Sequence, residues 1–139
     1  MARMVTLTID GVEATVPEGT TILDAAEKVG ITIPTLCHDK RLVPFGSCRI
    51  CVVQLKGKWG KLMPSCFNPV RDGMEILTAS PEVIESRKTQ LQLMLLHHPL
   101  ECPTCDQAGA CALQDLVYEY GVAENPLRQV GAQRQDAPF

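Results

Sequence analysis

Between His97 and Cys111 the chain reads HHPLECPTCDQAGAC, with two histidines and three cysteines in fifteen residues. Three residues separate His98 from Cys102, two separate Cys102 from Cys105, and five separate Cys105 from Cys111. One imidazole and three thiolates are four soft or borderline ligands, enough to close a site on one metal centre. They suit a single zinc ion or a four-iron cluster; the larger cluster fits ligands arriving from a wrapped loop better than from two tight knuckles. Pro99 and Pro103 stiffen this loop by removing backbone donors, and Pro99 is expected to end any helix arriving at His98. His97 stands four residues before Cys102 rather than three, so it is read as a surface or supporting residue and not as a ligand.

A second set lies upstream. Ten residues separate Cys37 from Cys48, two separate Cys48 from Cys51, and fourteen separate Cys51 from Cys66. A close pair with two distant contributors can ligate a 2Fe–2S cluster. Gly46 and Ser47 offer backbone and hydroxyl donors to such a centre. His38 is read as a loop histidine, since four cysteines already serve the site. One zinc ribbon built from Cys48, Cys51, Cys102 and Cys105 would leave Cys37, Cys66, Cys111 and His98 without a role. A dithiol oxidoreductase lacks the βαβ context, and a Rieske centre would need paired Cys-x-His elements. The seven cysteines are an odd number, which a disulfide framework would leave unpaired. With His98 they divide into two complete ligand sets, which points to thiolates held for metal in a reducing compartment.

The run HPLECPTCDQ, followed by ALQDL, resembles the His-x3-Cys-x2-Cys-x5-Cys 4Fe–4S motif of three protein groups. These are the large iron–sulfur subunit of respiratory NADH dehydrogenase (complex I), the accessory domains of iron-only hydrogenases, and some NAD-linked formate dehydrogenases. PTLC around Cys37, GSCRICVV around Cys48 and Cys51, and PVRDGMEILT after Cys66 are similar to the 2Fe–2S domain of the same groups. Their long first gap differs from the four residues of plant-type ferredoxins. The resemblance covers about residues 1–125 and keeps the family's order of motifs. It implies a 2Fe–2S cluster on Cys37, Cys48, Cys51 and Cys66, and a 4Fe–4S cluster on His98, Cys102, Cys105 and Cys111. It further implies, as partners, a flavin-bearing NADH-oxidising subunit and other redox subunits of a complex.

The elements that must carry these ligands are legible in outline. MVTLTID alternates apolar and polar residues, Gly11 turns the chain, and Val12 to Val16 alternate again, which reads as a β-hairpin. Helix-start chemistry at Pro17 to Thr21 precedes Ile22, Leu23, Ala25, Ala26 and Val29 at helical spacing, with Gly30 as the stop. A hairpin followed by a helix is how a β-grasp fold begins. From Pro34 the chain reads as a wrapped loop, then strands near 51–55, 61–63 and 74–78. Trp59 is expected to pack at a hairpin tip, with Lys56, Lys58 and Lys61 as a solvated face. Ser80-Pro81-Glu82 reads as N-cap, first-turn proline and first-turn acid of a helix running to His97. Its apolar side is taken as Val83, Ile84, Leu91, Met94 and Leu95. A short helix over 112–120 closes at Gly121.

The expected fold class is therefore α+β. A β-grasp 2Fe–2S ferredoxin-like domain spans 1–79. A linking helix and a small helical 4Fe–4S domain, with one histidine and three cysteines as ligands, span 80–125. An extended tail spans 126–139. The chain has 139 residues, a formal charge of −3 and 4% aromatic residues. Its acidic balance and lack of a basic stripe argue against nucleic acid as a partner. LQLMLL at 91–96 is too short to span a bilayer, and MARMVTLTID does not read as a secretory signal. A cytoplasmic or other reducing location is expected, without direct membrane insertion and compatible with attachment to a larger membrane-bound assembly. No nucleophile–base arrangement and no Gly-rich nucleotide loop is apparent. The expected function is one-electron transfer within a larger oxidoreductase complex, with no catalytic site of the chain's own. A zinc-stabilised interaction module is the alternative.

Overall fold

Alternation decides the first two strands. In β1 (Met4–Ile9) the side chains of Val5, Leu7 and Ile9 share one face and are buried, as the two-residue period of a strand requires. β2 (Val12–Pro17) pairs antiparallel to β1 and buries Ala14 and Val16. Asp10 and Gly11 form the two-residue turn between them, with φ of 50° and 82°. That pair of left-handed residues matches the right-handed twist of a hairpin, and Asp-Gly is a favoured sequence for it. The Asp10 carboxylate also accepts from the Thr78 amide at 2.8 Å and from the Thr78 hydroxyl, tying the hairpin to the segment after the last strand.

The computed structural model describes residues 3–57 and 59–122 and divides the chain into two compact units, Met1–Arg87 and Lys88–Phe139. In the first unit the remaining strands are β3 (Val52–Leu55), β4 (Leu62–Pro64) and β5 (Glu75–Leu77). The sheet order is β2-β1-β5-β3-β4. β1 and β5 are parallel and the other neighbours antiparallel. A parallel pair needs a long crossover, and the chain between β1 and β5 supplies α1 (Ile22–Lys28) within it. Ile22, Leu23, Ala25 and Ala26 of α1 join Val5, Leu7, Ile9, Val53 and Ile76 in one core. Thr21 caps α1 by accepting from the Asp24 amide at 3.1 Å. The unit is a mixed sheet with helical crossover, the α+β class expected.

One detail departs from expectation. Trp59 does not pack: it is 89% exposed between β3 and β4, next to Gly60, whose amide bonds to the Gly57 carbonyl at 3.2 Å. Lys56 and Lys61 are exposed, as read, and Lys56 pairs at the surface with Glu75 at 2.5 Å. Lys58 and the tail 126–139 lie outside the described residues.

Helix α2 (Pro81–Met94) starts as anticipated, with the Ser80 hydroxyl accepting from the Val83 amide at 3.3 Å. It stops at Met94 rather than running to His97. Pro99 explains this, because it has no N–H to give the Leu95 carbonyl and its ring crowds that oxygen. The turn before it tightens instead, with Leu96 bonding back to Leu93 at 3.3 Å. Val83 and Leu91 are buried as read, while Ile84 is 36% exposed. The residue midway between Val83 and Leu91 is Arg87, which is itself buried. The first compact unit ends at this residue, inside α2, whereas the boundary read from sequence stood at 79/80.

The second unit contains the end of α2, a single 3-10 turn η1 (Cys102–Thr104) and α3 (Ala112–Tyr120). Gly121 closes α3 in the left-handed region, donating to Tyr118 and Val117.

Candidate metal centres

The first unit holds Cys37, Cys48, Cys51 and Cys66, all as free thiols. Cys51 and Cys66 are fixed most firmly. The Cys51 carbonyl accepts from the Ser65 amide at 3.1 Å and from the Ser65 hydroxyl at 2.8 Å. Ser65 and Asn68, flanking Cys66, lend their carbonyls to the Leu23 and Ile22 amides at the start of α1, at 3.1 and 3.0 Å. Those amides have no partner within the helix, so the cap of α1 doubles as the anchor of the Cys66 segment. Cys48, Cys51 and Cys66 are buried and Cys37 is exposed.

The four sulfurs sense one another. Burial pushes the Cys66 thiol up to about 12, and the charge of Cys51, a hydrogen bond to it, and the charges of Cys37 and Cys48 add to the rise. At Cys37 partial burial acts to raise the thiol, but hydrogen bonds from Cys48 and from the Ser47 backbone outweigh it and the net shift is downward. The Cys48 amide reaches the Cys37 sulfur at 3.5 Å. Arg49, inside the Cys48–Cys51 pair, adopts φ +58°, a strained value for a residue with a Cβ. The loop thus turns its amides toward sulfur, the donor pattern that stabilises thiolates and cluster sulfides.

Beside Cys37, both ring nitrogens of His38 are buried without a hydrogen-bond partner among the described residues. The ring lines a depression with Glu27, Thr35 and Lys40.

In the second unit one cavity of about 350 Å³ is lined by His98, Cys102, Cys105 and Cys111, the four residues read from sequence. Leu95, Pro99, Pro103 and Val117 give it apolar walls. His97 is not among its lining residues. The cysteine loop is wound as successive tight turns, with Cys105 bonding back to Cys102 at 3.2 Å and Ala108 to Cys105 at 3.0 Å. Cys111 ends the loop as the N-cap of α3, its sulfur accepting from the Gln114 amide at 3.5 Å. Among the described residues, no three His, Cys, Asp or Glu side chains converge closely enough for one ion. A cluster distributes its protein ligands over several irons and needs wider spacing. The donor chemistry and the cavity both accommodate such a group.

Sequence reasoning missed Ser65 as the tie between two cysteines. Its only signal was adjacency to Cys66. It also missed the contact of Gly46 with the Phe67 ring, for which residue types give no cue.

Comparison with known proteins gives consistent matches. Residues 2–81 match the family described as a 2Fe-2S iron-sulfur cluster binding domain. Residues 87–126 match the NADH-ubiquinone oxidoreductase-G iron-sulfur binding region. The chain is 46% identical over 132 residues to NADPH-Fe(3+) oxidoreductase subunit alpha of Geobacter sulfurreducens, covering 95% of this chain and 16% of that protein. It is 46% identical over 118 residues to the NADH-ubiquinone oxidoreductase 75 kDa subunit of Reclinomonas americana, covering 85% of this chain and 17% of that protein. It is 44% identical over 128 residues to NADP-reducing hydrogenase subunit HndD of Solidesulfovibrio fructosivorans, covering 88% and 22%. The chain therefore spans less than a quarter of the length of these relatives. Among solved structures, a chain of an NAD+-reducing NiFe-hydrogenase in the H2-reduced state superposes with TM-score 0.80 at 32% identity, covering 94% of this chain and 55% of that one. Among the described residues, no helix is long and apolar enough to cross a membrane.

Proposed function

Because this chain belongs to the 2Fe-2S iron-sulfur cluster binding domain family and continues into an NADH-ubiquinone oxidoreductase-G iron-sulfur binding region, we propose that it is a one-electron relay of an NADH dehydrogenase or hydrogenase complex. It has binding regions for one 2Fe–2S and one 4Fe–4S cluster. In our reading the first unit is a β-grasp domain in which Cys37, Cys48, Cys51 and Cys66 hold the 2Fe–2S cluster. The second is a small helical domain in which His98, Cys102, Cys105 and Cys111 hold the 4Fe–4S cluster. The observation that carries this reading is the single cavity lined by all four of the latter residues.

An iron–sulfur cluster supplies a centre that accepts and releases single electrons, at a potential set by ligand charge, hydrogen bonds and exposure. The residues of the chain do the rest. The Ser47 and Cys48 amides directed at Cys37 stabilise negative charge on that sulfur and so favour the reduced state. The neutral His98 imidazole replaces one anionic thiolate, which makes its centre easier to reduce than one with four cysteines. Leu95, Pro99, Pro103 and Val117 line the same cavity as His98.

The proposed electron donor is a flavin-bearing NADH-oxidising subunit, and the acceptors are further redox centres of the same complex. The test is anaerobic mixing with NADH, read by visible absorbance. The chain alone should not oxidise NADH, and adding a flavoprotein NADH dehydrogenase subunit should bleach the clusters. NADH turnover by the flavin-free chain would overturn the proposal.

A further inference from the structure

Arg87 is 3% exposed, within a helix otherwise buried along that line by Val83 and Leu91. Its Nε donates to the Ile50 carbonyl at 3.1 Å and its Nη2 to the Val52 carbonyl at 2.8 Å. Cys51 lies between those two residues. The Cys51 carbonyl between them faces other donors, the amide and hydroxyl of Ser65. Three successive carbonyls are thereby pinned, the outer two by one guanidinium and the middle one by Ser65. The fork geometry matters, because the planar guanidinium holds donors on separate nitrogens in fixed positions, here one for each carbonyl.

We propose that Arg87 is a positioning residue for the 2Fe–2S centre: its fork fixes the Cys51 backbone, and its permanent charge beside that ligand raises the potential of the cluster. This rests on the reading of Cys51 as a ligand. A 2Fe–2S group on four thiolates is anionic and gains one further negative charge on reduction. A guanidinium stays protonated at all working pH values. Placed in the protein interior, where charges interact more strongly than in water, it favours the more negative, reduced form. Burying such a cation costs several kcal/mol in lost hydration, and the bonds to the Ile50 and Val52 carbonyls offset part of it.

The experiment compares the full chain, purified anaerobically with its clusters, with Arg87→Gln and Arg87→Lys. Circular dichroism checks the fold, redox titration followed by electron paramagnetic resonance gives the 2Fe–2S midpoint, and bleaching in a chelator gives cluster retention. Arg87→Gln should lower the midpoint, and Arg87→Lys should stay closer to the unchanged chain. Both should bleach several-fold faster, since neither side chain spans both carbonyls. A purely structural arginine would shift the two variants alike, so equal midpoints for Gln and Lys overturn the charge role. Unaltered bleaching in both overturns the positioning role. If Arg87→Gln does not fold, the bleaching rate of Arg87→Lys decides. Absence of a 2Fe–2S signal from the unchanged chain would instead defeat the underlying ligand reading.

Discussion

The Ser65 hydroxyl and the Ser65 amide both donate to the carbonyl oxygen of Cys51, at 2.8 and 3.1 Å. Ser65 is fully buried and directly precedes Cys66. Two of the four proposed 2Fe–2S ligands, with fourteen residues between them in sequence, are thus held as one unit. Ser65→Ala removes the hydroxyl bond and leaves the amide bond in place. The expected cost is about 0.5–1.5 kcal/mol, read as a lower urea midpoint, with faster loss of the 2Fe–2S signal. An unchanged midpoint together with unchanged cluster retention would show that the hydroxyl holds nothing.

Gly46 sits at φ +69° before Cys48, and a Cβ there would overlap the Phe67 ring, with Cδ1 2.8 Å away. Gly46→Ala should cost about 1–2 kcal/mol from the left-handed dihedral alone, and more from the overlap. Adding Phe67→Ala should recover the overlap and not the dihedral part. Full recovery in the double variant would mean that the backbone there tolerates a side chain without strain. Chemical denaturation of the three variants separates these outcomes.

In the cluster-free chain the thiols should alkylate unequally. Thiolate is the reactive form. Cys37 is exposed and its pKa is lowered, so at mildly alkaline pH more of it is ionised; Cys66 is buried and pushed up to about 12, so almost none of it is. Mass spectrometry after brief iodoacetamide treatment should find Cys37 modified well before Cys66. In the cluster-loaded chain both should be protected. Equal labelling of Cys37 with and without cluster would remove it from the ligand set.

His98 lines the cavity with the three cysteines and His97 does not. His97→Ala should leave the 4Fe–4S spectrum nearly unchanged. His98→Ala should damage or abolish it while the 2Fe–2S signal stays, because each proposed ligand set falls within its own compact unit. His98→Cys should retain a cluster at lower potential, since a thiolate adds negative charge. The reverse pattern, with loss in His97→Ala, would move the ligand one residue back.

Periodicity made the hairpin, α1 and the start of α2 legible, because Val5, Leu7, Ile9 and the Ile22–Ala26 face obey the periods of strand and helix. Spacing singled out the eight chemistry-bearing residues, and four of them do share a cavity. What spacing does not encode is non-local hydrogen bonding. Ser65 at Cys51 and Arg87 at Ile50 and Val52 depend on how the chain folds back over tens of residues. Arg87 is a residue that the sequence reading passed over although a signal was there: it occupies the i, i+4 line from Val83 to Leu91, where a charged residue is out of place unless something inside receives it. The early end of α2 was misjudged because a proline disturbs the turn before it as well as its own position.

The central claim is tested most directly by the metal content of the anaerobically purified chain. Two irons and sulfides from one centre and four of each from the other predict brown protein with about six irons and about six acid-labile sulfides per chain. Colourless protein carrying one or two zinc ions and no labile sulfide would contradict the account.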